Sequence, residues 1–322
     1  MRLIRIGVAV VGIGIFTAHL ATAQTFPARP ISIVVPFAAG GGTDLVARLI
    51  AQNLRESFKS GVIVENKPGA TGQIGTRHVI QSAPDGYTLL LGTTSLINNP
   101  FLFANLPYDA MKQLRPVVSV ADLSIFLAVS EKMGAQNMRE FIEIAKKSGG
   151  ALNYGSAGAG TTLHLSAEWL KANVGFEATH VAYKGSGEAV VALAAGQVAF
   201  NMENLGPVQP MIASKRIRVL AVAAPKRHPV LPDVPTFGES GLPDINLSTW
   251  VFLLAPTGTP DDVITLLNTS VNQILAGAEV KEKMIGMGFV PTGGSPSEML
   301  NRMHQESAQW GAIIKSARVA VN

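Results

Sequence analysis

The chain has 322 residues, 47% of them hydrophobic and 15% charged, which is material for one or two sizeable cores and excludes a disordered chain or a charged coiled coil. It has no cysteine, so disulfides, thiolate metal sites, cysteine nucleophiles and lipid attachment through cysteine are excluded. Lys and Arg number 26 against 22 Asp and Glu, a formal charge of +4 without the dense basic stripe that nucleic-acid binding needs, so no nucleic-acid partner is expected.

In chain order, the first segment reads as an export address. Arg2 and Arg5 precede an apolar stretch from Ile6 to Phe16, and Ala21-Thr22-Ala23 follows. A positive start, a short apolar run and an A-x-A end make a cleavable signal peptide, and the run is shorter than the roughly 20 residues a bilayer takes. Cleavage is expected after Ala23, with no cysteine behind it. The mature chain is expected to be a soluble periplasmic monomer.

The elements that follow repeat themselves. Ile31 to Phe37 is a β-branched strand that runs into the glycine-rich turn Ala38 to Asp44 and then a helix with Leu45, Leu49 and Ile50 at helical spacing. Ala151 to Tyr154, the turn Gly155 to Thr162 and a helix carrying Leu163, Leu165, Trp169 and Leu170 copy that order. Strands at 62–65, 87–91 and 117–120 have counterparts at 180–183, 197–202 and 219–222. A βαβαβαβ order occurring twice predicts two similar α/β domains with largely parallel sheets. Two further strands, 124–129 and 250–254, come where the chain would pass to the opposite domain, and helices follow from Pro260 and from Ser297. The expected division is 24–123 plus 226–322 for domain 1 and 124–225 for domain 2, joined by two crossing segments that act as a hinge.

Ligands of open α/β sheets bind beyond the carboxyl ends of the strands, where helix N-termini present unpaired N–H groups and about half a positive charge. Glycine lets the backbone converge on one acceptor, and Ser and Thr add hydroxyls. The turns Ala39 to Asp44 and Ser156 to Thr162 are two such candidate anion sites, one per domain. Several side chains have two readings. Asp44 is either a ligand contact or an early-helix acid favoured by the dipole. Lys184 is either a solvated cation or a partner for an anion. Glu203, ending a strand, either reads an amine or hydroxyl of the ligand or is a surface carboxylate. His164 either touches ligand or is an ordinary helix histidine.

Catalytic motifs are missing from the sequence. There is no phosphate-binding G-x-x-x-x-G-K-[ST], no G-x-S-x-G elbow and no H-E-x-x-H, and no two His stand at i, i+3 or i+4. No cofactor, metal or catalytic residue is expected.

Taken together, these segments are similar to the periplasmic solute receptors of tripartite tricarboxylate transporters, the Bug-type extracytoplasmic receptors. The resemblance is carried by Arg29-Pro-Ile-Ser-Ile-Val-Val-Pro-Phe-Ala-Ala-Gly-Gly-Gly-Thr-Asp44, Val64-Glu-Asn-Lys-Pro-Gly-Ala70, Ala83-Pro-Asp-Gly-Tyr-Thr-Leu89, Tyr154-Gly-Ser-Ala-Gly-Ala-Gly-Thr161, His180-Val-Ala-Tyr-Lys-Gly185 and Leu231-Pro-Asp-Val-Pro-Thr236, among others, from about Phe26 to Trp310. It implies a two-lobed Venus-flytrap fold of type II that closes on a small organic acid and delivers it to the membrane permease subunits of a transporter. By position it implies first-lobe contacts from Phe37, Ala39, Gly40, Thr43, Asp44, Thr94 and Ser95. The second lobe would contribute Ser156, Gly158, Gly160, Thr161, Thr162, His164, Lys184 and Glu203. The chain departs from the family at Ala199, where members often carry Asp, and its carboxylate four residues on is the longer Glu203. The competing readings are a periplasmic hydrolase of a small carboxylate and a ligand sensor for a membrane kinase.

Overall fold

A computed structural model describes residues 26–317; the leader read at 1–23 lies outside them. The first half comprises β1 (Ile31–Val35), α1 (Gly42–Phe58), β2 (Val62–Asn66), α2 (Gln73–Ile80), β3 (Thr88–Thr93), α3 (Thr94–Leu102), α4 (Ala110–Gln113) and β4 (Leu114–Ser130). Next come α5 (Met138–Lys147), β5 (Asn153–Ser156), α6 (Thr162–Val174), β6 (Thr179–Ala182), α7 (Ser186–Ala195), β7 (Phe200–Asn204), α8 (Leu205–Ala213) and β8 (Ile217–Val222). The chain ends with β9 (Ser248–Pro256), α9 (Asp261–Ala276), α10 (Ala278–Gly286), β10 (Phe289–Pro291) and α11 (Pro296–Ala317).

The strands run β2-β1-β3-β9-β4-β7-β5-β6, with β8 and β10 also on β4. In each lobe three strands are parallel or follow a parallel pair: β1 lies between β2 and β3, and β5 lies between β6 and β7. β1, inside the sheet, is buried on both faces, which is why it reads as an almost unbroken β-branched run.

The expected fourth parallel strands are a correction. Residues 117–120 and 124–129 form one 17-residue strand, β4, which is antiparallel to β9 and β10 in its first half and to β7 and β8 in its second. Residues 219–222 are likewise antiparallel to it, as part of β8. Asp122 lies inside β4, where its carboxylate accepts both guanidinium branches of Arg302, at 2.6 and 3.1 Å. β4 changes sheets in one step: Ser124 still pairs with Ser248 of β9, while Ile125 pairs with Asn204 of β7.

Each half-sheet carries apolar clusters on both faces. In the first lobe Ile50, Leu54, Leu267 and Met284 fill one side, and Leu96, Tyr108, Trp250 and Met303 the other. In the second lobe Phe141, Leu170 and Phe200 fill one side, and Leu193, Leu205 and Val208 the other. α11 serves both lobes: Met299 and Met303 sit in the first-lobe core, and Trp310 and Ile314 in the second. Among the described residues, no helix is long and apolar enough to cross a membrane.

Candidate functional site

The carboxyl ends of the parallel strands in the two lobes face each other. Between them lies a narrow cavity of about 30 Å³ lined from both sides. Five helix N-termini converge on it: Gly41 to Thr43 of α1, Thr93 and Ser95 of α3, Thr161 to Leu163 of α6, Ser186 of α7 and Asn204 of α8. Each brings unpaired first-turn N–H groups and the positive end of its dipole. α3 and α6 are capped by Thr93 and Thr161, whose hydroxyls accept from Ser95 and His164 N–H. α1, α7 and α8 have no side-chain cap. Two buried hydroxyls on the lining, Thr162 Oγ1 and Thr249 Oγ1, have no hydrogen-bond partner.

The lining carries one ionisable side chain, Asp44, and no cation. Asp44 Oδ2 accepts from Gly40 N–H and Arg48 Nε, and Oδ1 accepts from Asn66 Nδ2, each at 2.9 Å. Burial works to raise its pKa, but these donors outweigh burial and hold it below the ordinary value. Asp44 therefore braces the turn and stays an anion neutralised by Arg48. What remains for a ligand is a ring of N–H and O–H donors with a net positive potential, which suits a small anion.

The lobes are in contact around this cavity. Ala38 N–H donates to Lys184 O at 3.1 Å, and Thr71 Oγ1 donates to Ala159 O at 2.5 Å. Glycines allow the approach: a Cβ on Gly187 would stand 2.6 Å from Ala39 O, and one on Gly185 would stand 2.9 Å from Ala38 N. Only hydrogen at those Cα atoms permits the closed arrangement.

Of the residues singled out in the sequence, Phe37, Thr43, Asp44, Ser95, Thr161 and Thr162 line the cavity. Ala39 and Gly40 instead line a surface groove against α7 and α8, and Gly158 and Lys184 line a neighbouring crevice. Thr94 lies behind, where its Oγ1 accepts from Trp250 N–H. Gly160 N–H is taken by His164 Nδ1 at 3.0 Å, as Gly40 N–H is taken by Asp44. Ser156 Oγ hydrogen-bonds His180 Nε2 at 2.7 Å and holds the Gly158 backbone.

His164 and His180 thus support the second-lobe turn from beneath. Their rings stack at 4.1 Å, with Tyr154 stacked on both. Burial, and for His164 also the neighbouring His180, pushes both down to about 4, so both are neutral near pH 7 and His164 Nδ1 is free to accept.

Glu203 is fully buried behind Ser186. Its Oε1 accepts from Ser186 Oγ at 2.6 Å and from Asn204 N–H at 2.9 Å. Sequence reasoning did not single out Ser186, Asn204, Thr93 or Thr249. Ser186 and Asn204 each follow a strand at the start of a helix, the same signal as in the glycine-rich turns. Thr249 comes from β9 with no local signal.

Comparisons with known proteins show the family and the fold. The model of the tripartite tricarboxylate transporter family receptor matches residues 46–319. Protein BugT of Bordetella pertussis is 36% identical over 312 residues, 95% of this chain and 96% of BugT. An R. palustris protein solved with adipate superposes with a TM-score of 0.89 at 35% identity, over 92% of this chain and 99% of that one. MatC from Rhodopseudomonas palustris with bound malate superposes with a TM-score of 0.85 at 30% identity, over 90% of this chain and 100% of MatC.

Proposed function

This chain belongs to the tripartite tricarboxylate transporter receptor family, and from that premise we propose that it captures a small organic acid in the interlobe cavity without chemical change. The observation that carries this reading is the convergence of five helix N-termini from both lobes on one cavity with no lining cation. A carboxylate accepts several hydrogen bonds at once and gains from each dipole end. Bound there, it is held by both lobes only when they close, so it shifts the population toward the closed form. Relatives solved with adipate and with malate support a small carboxylate as the ligand, within the mono-, di- or tricarboxylate class we propose.

The contacts would be the cavity-lining donors of α1, α3, α6, α7 and α8 with Thr249, while Asp44 braces the α1 turn within the lining and His164 and Glu203 act from behind it. The moving bodies would be 24–123 plus 226–322 and 124–225; the change of β4 partners at Ser124 and Ile125 supports this division, with α11 strapped across the two. Export by the leader, residence in the periplasm as a monomer and delivery to membrane permease subunits follow from the same reading. The test is a thermal-shift screen of mono-, di- and tricarboxylates followed by calorimetry and mass spectrometry. One acid per chain, raising the melting temperature and recovered unchanged, is expected. A flat screen refutes capture, and turnover of the acid refutes a pure receptor.

A further inference from the structure

The mechanism of closure leaves one buried group unused. Glu203, the penultimate residue of β7, has no exposure to solvent, and its Oε2 has no hydrogen-bond partner. Its two donors lie at the seam between the lobes. A Cβ on Gly41 would stand 3.2 Å from Ser186 Cβ, and one on Gly42 would stand 3.3 Å from Asn204 Oδ1. Glu203 is therefore covered by groups that the opposite lobe covers in turn, so parting the lobes would uncover its two donors.

Among the described residues, no cation pairs with it. β4 faces it with Phe126, β5 ends at Ser156, and α8 carries no ionisable residue. Lys184 and Glu188 stand around the start of α7, and Asp44, across the seam, is already paired with Arg48. His164 and His180 in the same lobe are neutral above pH 6. An ionised carboxylate with one oxygen unpartnered and no counter-ion is costly to bury, and an anionic ligand nearby makes it costlier.

We propose that Glu203 is a proton-uptake site: when the lobes close on a carboxylate, it takes one proton from solvent onto Oε2 and enters the seam as a neutral acid. The reaction balances, because the carboxylate and a solvent proton become the carboxylic acid and opening releases the proton. In the neutral state its Oε1 holds Ser186 and Asn204 at the cavity wall without placing a second negative charge beside the ligand. Glu203 is thus a positioning residue that couples capture to pH. Burial, opposed only by Ser186 and the Asn204 N–H, pushes it up to about 8 from 4.5 in the closed form.

The sign follows from linkage. The closed form binds more protons than the open form between those two values, so affinity falls as pH rises through that range and levels off above it. With those end points, binding weakens by about eightfold from pH 6.5 to 7.5, with about 0.9 proton taken up per ligand at pH 7. This rests on the proposed capture of a carboxylate. The experiment is calorimetry of the full mature chain with acetate, malate and adipate, whose carboxyls stay ionised over that range, in buffers of different ionisation enthalpy.

Expected are proton uptake near one in wild type and loss of both uptake and pH dependence in Glu203→Gln. Binding that is independent of pH in wild type, or equally pH-dependent in Glu203→Gln, overturns the proton-uptake site while carboxylate capture stands. Should Glu203→Gln fail to fold, the wild-type buffer series decides alone, because absence of uptake overturns the proposal. If no acid binds, capture itself fails and the proton site falls with it.

Discussion

Replacing Gly187 with Ala separates closure from folding. Gly187 is the second residue of α7 and does not have the left-handed backbone that favours glycine, so alanine fits its local conformation. In a helix, alanine is worth about 0.5–1 kcal/mol over glycine, and this gain applies whether the lobes are open or closed. The cost falls on the closed form alone. The added Cβ would lie 2.6 Å from Ala39 O and 3.3 Å from Gly40 C, both in the opposite lobe and both backbone atoms that cannot swing away. Overpacking of this kind costs about 1–3 kcal/mol, which lowers ligand affinity by roughly 5- to 150-fold when binding requires closure. Calorimetry gives the affinity, and thermal melting of the ligand-free protein gives the stability. The expected result is weaker binding with an unchanged or raised melting temperature. Wild-type affinity in Gly187→Ala would refute the reasoning that this glycine seam is the bound-state contact. Gly185→Ala, whose Cβ would meet Ala38 N at 2.9 Å, provides an independent repeat.

Thr162→Val and Thr249→Val remove the two unpartnered cavity hydroxyls. Each is expected to cost about 1–3 kcal/mol of ligand binding while leaving the ligand-free melting temperature unchanged or slightly raised, because a buried hydroxyl without a partner is a burden to the fold; equal affinity in both variants would remove these hydroxyls from the site. The stacked histidines predict a loss of stability in acid. Both sit near 4 in the fold against 6.5 ordinarily, so the unfolded chain takes up protons first, and the stability present above pH 6.5 is lost as pH falls toward 4. The drop in melting temperature from pH 7 to pH 5 should shrink in His180→Gln, and an identical drop would place the acid sensitivity elsewhere. Arg302→Met leaves Asp122 and Glu306 without their shared cation and removes the guanidinium lying 4.2 Å from the Trp250 ring. A loss of about 1–3 kcal/mol on denaturant unfolding is expected, and an unchanged midpoint would show that this corner contributes nothing.

Local chemistry in the chain determined the repeating strand, glycine-rich turn and helix of the two lobes. The β-branched runs of β1 and β2 and the clusters Ala38 to Asp44 and Gly155 to Thr162 carry their own periodicity and turn chemistry, which act within a few residues. From those turns the chemical class of the site was legible too, since helix N-termini bind anions wherever they are exposed. Partnerships between distant residues were decided only in the tertiary structure. β4 runs through both lobes because its two halves pair with β9 and β10 and with β7 and β8, and Arg302, from the last helix, neutralises the Asp122 inside it. Gly40 and Gly160 look like free donors in the sequence, yet their N–H groups are occupied by Asp44 and His164 one turn later. Ser186, Asn204 and Thr249 line the interlobe cavity, and Glu203 loses its solvent, because strands far apart in the chain end at one seam. Periodicity reports which face of a strand or helix is buried; which face of the other lobe covers it depends on long-range pairing that no local pattern encodes.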